Sequence, residues 1–123
     1  MKRAQTYTLV LSLGAVPLIQ VAPPIPLMMT VGCVETDGRD GFTLTRATEP
    51  AAIQERVPAQ PAADAPLGDQ TLRLVGTLDE FGVAAHVGHK VWAKGLLNPG
   101  EPVPLLNLTS ITRLGQSCDG SVR

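Results

Sequence analysis

The sequence predicts a mainly β protein, a small five-stranded Greek-key barrel with one short helix between its third and fourth strands. Three observations carry this. Apolar and polar residues alternate with period two in "FTLTR", "TLRLVG" and "HKVWAKGLL"; turn formers crowd between those runs; and one stretch, Leu78, Phe81 and Ala85, has helical spacing instead.

The chain has 123 residues and opens with "MKRAQTYTLVLSLGAVPLIQVA". Lys2 and Arg3 followed by an uncharged, mostly apolar run have the order of a secretory signal, and residues 1–27 are assigned to that leader. Pro17, Gln20 and the prolines from Pro23 onward interrupt the run before the ~20 residues that a spanning helix needs. Two cleavage sites compete, one after Ala22 and one ahead of Cys33, where "TVGC" resembles a lipobox and would leave Cys33 as a lipidated first residue. The folding unit is then 28–118, with a short tail at 119–123, a size at which one modest core forms.

"MMTVGCVE" is β-prone, "TDGRDG" is dense in turn formers, and "FTLTR" alternates Phe42 and Leu44 against Thr43 and Thr45, so the three make a hairpin. Residues 47–70 carry Pro50, Pro58, Pro61 and Pro66 among many alanines. This composition anchors no core element and predicts a long mobile loop, with at most one helical turn around 51–56. "TLRLVG" restores strand alternation through Leu72 and Leu74. A helix over 78–85 follows, with Thr77 as its N-cap and Gly88 as its stop. Beyond Gly88, Val91 and Ala93 alternate with Lys90, Trp92 and Lys94, which places the first set inside and the second on an exposed outer wall. "NPGEP" is a turn, and "VPLLNLTSITRL" is the last strand, with a bulge expected near Ser110.

Five strands with a helix between the third and fourth is the arrangement of an OB-fold. On "VGCVE…GFTLT", "LRLVG", "AHVGHKVWAKGLL" and "LNLTSI", the chain resembles exported bacterial OB-fold (BOF-like) small proteins, a group that includes periplasmic stress-tolerance proteins. The resemblance implies an OB-like barrel in the periplasm or outside the cell, and it transfers no catalytic residue to this sequence.

Two cysteines in an exported chain, one near each end of the folding unit, predict a disulfide between Cys33 and Cys118. In the chain-entropy description a loop of that length is worth about 4–5 kcal/mol. Lys90, Trp92 and Lys94 form the candidate ligand contact, an aromatic flanked by cations on one strand face. His86 and His89 make an H-x-x-H pair, a weak metal candidate because two ligands are too few.

Charge and composition remove several function classes. Ten Lys and Arg against eleven Asp and Glu leave a formal charge of −1, and the aromatic residues are Tyr7, Phe42, Phe81 and Trp92. Such a chain has no overall field to draw it onto nucleic acid and little on which to stack bases, so any such contact is local. No G-x-S-x-G elbow or C-x-x-C pair is present. The expected function is an exported, non-enzymatic binding or envelope stress protein without a cofactor, whose partner is a small ligand or another envelope protein. The alternatives are a lipoprotein that meets a membrane through Cys33 and a weak metal- or nucleic-acid-binding module.

Overall fold

The structure is a computed structural model and describes residues 25–115, 117 and 118. The leader assigned to 1–27 therefore lies outside the described residues apart from its last three positions, as does the tail at 119–123. Among the described residues six strands form: β1 (Leu27–Thr36), β2 (Phe42–Ala47), β3 (Ala51–Ala52), β4 (Gln70–Val75), β5 (Lys90–Asn98) and β6 (Leu105–Arg113).

Five of them close into a ring. β1 pairs with β2, β2 with β4, β4 with β6, β6 with β5, and β5 with β1; only the β4–β6 pair is parallel. The expected hairpin is β1–β2, in register from Cys33 opposite Thr45 to Thr36 opposite Phe42. Its turn is tied by Asp37, whose Oδ1 accepts the Arg39 N–H at 2.9 Å and the Gly41 N–H at 3.2 Å, while Oδ2 pairs with Arg73 of β4. Those donors and the guanidinium hold the Asp37 carboxyl below its usual range, the backbone N–H of Arg39 contributing most.

Inside the ring, Val34, Leu44, Leu72, Leu74, Val91, Ala93, Leu106 and Leu108 make one apolar cluster, as the alternation within each strand requires. The bulge expected near Ser110 lies between the pairs Lys94–Ser110 and Gly95–Leu108, so Thr109 is the extra residue. Opposite it, Gly95 is needed for a close approach of backbone: a Cβ there would sit 2.3 Å from the Asn107 carbonyl oxygen.

The α-helix expected over 78–85 is absent. Consecutive three-residue turns replace it: Glu80, Phe81 and Gly82 N–H groups bond the carbonyls of Thr77, Leu78 and Asp79. A 3-10 helix, Val83–His86, follows. Gly82 adopts φ 64°, ψ 36°, a left-handed conformation that ends any α ladder at that point. The helical spacing therefore does not set burial. Ala85 is exposed, Phe81 and Leu78 are half-buried against the core, and Val83, 1% exposed, closes that end of the ring.

The segment at 47–70 also differs from the expected mobile loop. Ala51 and Ala52, where the sequence allows at most one helical turn within a loop, form β3 and add to the N-terminal half of β1 opposite Met29 and Met28. Thr48 locks the crossing: its N–H donates to the Val31 carbonyl at 2.8 Å and its Oγ1 accepts the Val31 N–H at 3.0 Å. Propensity alone misses this because the segment has no period; its order comes from groups on β1 and β5 that receive it.

Candidate functional site

Alternation places Lys90, Trp92 and Lys94 opposite Val91 and Ala93, and the core cluster contains the latter pair without the former three. That division agrees with the sequence. The expected exposure does not: Lys90 is 8% and Trp92 6% exposed, and Lys94 is half-buried. The cause is the proline-rich segment, which returns from β3 towards β4 across this face as a strap.

The Lys90 ammonium lies under the strap and donates to the carbonyl of Ala63 at 2.9 Å and to that of Ala65. The Ala65 N–H itself bonds the Ala62 carbonyl at 3.0 Å, so a tight turn presents both oxygens to the lysine. Among the described residues, these two are the hydrogen bonds that reach from 54–67 to the ring; the strap's ends are fixed by Ile53 N–H to the Leu27 carbonyl and Gly68 N–H to the Arg46 carbonyl.

Two positions further along β5, the Lys94 ammonium stands 4.1 Å from the centre of the Trp92 ring, a cation–π contact. Trp92 also lines a small cavity of about 160 Å³ together with Met29, Val31, Ala51 and Pro61, with Thr30, Thr48 and Glu49 at its edge. Its walls come from β1, β3, β5 and the strap. A second, shallower concavity of about 380 Å³ opens at the end of the ring, where Phe42 and Leu78 form the floor and Asp40, Asp79 and Glu80 the rim.

Cys33 and Cys118 are joined, with Cα atoms 5.7 Å apart, and both are buried. Cys33 stands opposite Lys90 in the β1–β5 register. The segment after β6 is held along the same edge: Leu114 N–H bonds the Lys90 carbonyl at 2.8 Å and Cys118 N–H bonds that of Gly88 at 3.1 Å.

His86 and His89 flank the turn into β5. Their Nδ1 atoms are buried without a hydrogen-bond partner, and no group of three His, Cys, Asp or Glu residues able to hold a metal gathers among the described residues. Burial pushes the His86 imidazole below its usual pKa, with Arg113 and His89 adding repulsion to its charged form. The Arg113 guanidinium bonds the Ala85 carbonyl at 2.6 Å, which fixes that cation beside the turn.

Sequence reasoning missed the cavity and the strap. The disulfide expected from the sequence brings only the segment at Cys118 to this face; the strap has no pattern of its own that announces it. Compared with known protein families, curated proteins and solved structures, the chain finds no significant match.

Proposed function

We propose that this chain is an exported, disulfide-stapled OB-like barrel that binds a small ligand or an envelope partner and performs no catalysis. The observation that carries the fold is the ring order β1–β2–β4–β6–β5 with its single parallel β4–β6 pair. Omitting the two-residue β3, this is five strands of Greek-key order with a plug between the third and fourth, as in an OB-fold. Val83 and its flanking turns serve as the plug where larger versions use a helix. The Lys2–Arg3 start with the apolar run behind it, and a buried disulfide, support export to the periplasm or beyond.

The lipoprotein alternative is less well supported. Cleavage ahead of Cys33 would remove 27–32, which pair with β5 and in part with β3, and the sulfur that a lipid would take is in the disulfide. Intact-mass measurement of the protein recovered from its own cell envelope tests both readings. A mature N-terminus at or before Leu27, and a mass two hydrogens below that of the reduced chain, is the expected result. A diacylglyceryl mass on Cys33 would overturn it.

A further inference from the structure

The strap's contact with Lys90 has the form of a substituted ligand. An ammonium carries three donors, and here two neutral carbonyl oxygens, from Ala63 and Ala65, take the place that a carboxylate would fill more strongly. Beside it, the cavity against Trp92 has about the volume of an apolar site that accepts a single benzene ring. Lys90, Trp92 and Lys94 are alternate residues of one strand, with Cα atoms spaced roughly 7 Å apart; the Lys94 ammonium stands 4.1 Å from the indole ring, and Lys90, although outside the cavity lining, is bonded to Ala63 and Ala65, just beyond the Pro61 that lines it. Glu49 is the carboxylate at the cavity edge, and it is exposed; two covered or half-covered cations oppose it.

We propose that this cavity is a binding site for a small aromatic carboxylate, and that residues 54–67 are a lid latched over it by Lys90. The ring of the ligand enters between Trp92, Met29 and Pro61, and its carboxylate takes Lys90 from the Ala63 and Ala65 carbonyls. The closed strap and the ligand compete for one ammonium, so the apparent affinity is the intrinsic affinity multiplied by the fraction of molecules in which the latch is open. This rests on the reading of the chain as a binding protein, but its test does not depend on compartment or on the leader.

Trp92 is the only tryptophan in the sequence, so its emission reports the site directly. The probe is 4-nitrobenzoate, which quenches indole on contact, with neutral 4-nitrobenzyl alcohol as its comparator. In one variant, residues 57–60 and 62–66 become Gly and Ser at unchanged length, which keeps Lys90 and the Pro61 wall of the cavity and raises the entropic cost of latching. The expected result is a red shift of Trp92 emission and quenching by the carboxylate at about a tenth of the concentration needed for the alcohol, a preference of the size one charge pair supplies. Adding Lys90→Gln to that variant removes the preference. Unchanged emission and unchanged quenching in the Gly/Ser chain would overturn the lid; an opened site that quenches equally with both probes would overturn the carboxylate. If the Gly/Ser chain has no cooperative melt, Lys90→Gln in the native strap decides the matter. Greater access of acrylamide to Trp92 upholds the latch, and unaltered access refutes it.

Discussion

Lys90 is directed away from the core by strand alternation and is nevertheless covered, because its ammonium satisfies two backbone carbonyls of the strap. Lys90→Ala leaves those oxygens without their donor, and a loss of about 1–3 kcal/mol in urea-denaturation stability is expected. Trp92→Ala empties a site that the sequence alone treats as an exposed wall; with the ring 6% exposed, its cost is about 3–5 kcal/mol, comparable to a core aromatic. The face on which these side chains lie was legible in "HKVWAKGLL", since a period of two fixes it. Their burial was not, because it depends on a segment of alanine and proline with no pattern of its own. His86 adds a pH dependence. Its folded pKa is depressed below the ordinary imidazole value of about 6.5, so the unfolded chain takes the proton first. Stability is therefore full above the unfolded value, declines as pH falls through about 6.5, and levels off below the folded value. Thermal midpoints measured across that interval should fall, and His86→Gln should flatten the curve.

At the scale of elements, the connection between β4 and β5 separates two readings of the same residues. In an α-helix over 78–85, Gly82→Ala would add about 1 kcal/mol of stability. At φ 64° the same change forces a Cβ into the left-handed region and costs about 1 kcal/mol or more. A lowered urea midpoint for Gly82→Ala is the expected outcome. Helical spacing identified an element at the right place but not its type, since Leu78 and Phe81 pack as half-buried neighbours of Val83 without continuous helical hydrogen bonding. The β1–β2 turn carries the second element-level expectation. Asp37 is held below the usual carboxylate range, so its contribution is present above the unfolded value and is lost as pH falls through the lower folded one. Protection of the Arg39 and Gly41 amides, taken as the exchange rate relative to the intrinsic rate at each pH, should fall only in that acid range, and Asp37→Asn should lower it at neutral pH.

Across the whole molecule, β2, β4 and β5 were legible from alternation, and β1, buried along Thr30–Val34 without it, from its β-prone residues and the turn that follows; β3 was not, since a two-residue element has no period. The disulfide was legible from cysteine count and placement. Replacing both Cys33 and Cys118 by Ala should lower stability by about 2–5 kcal/mol, read from chemical denaturation alongside the unmodified chain with and without reductant. Because both sulfurs are buried, reduction of the native protein should follow its unfolding rate.

The placement of β6 has a consequence for how the chain reaches this state. It is the last strand in sequence, yet it lies between β4 and β5, and its pairing with β4 is the ring's one parallel contact. Until Leu105 and the residues after it are available, β5, β1, β2 and β4 form an open sheet with a free edge on either side. Such pairings, distant along the chain, form slowly, and the two edges are templates for other copies in the meantime. Synthesis from the N-terminus thus produces an unclosed intermediate by necessity, and a chain halted before β6 should associate through those edges while the full chain stays monomeric under the same conditions.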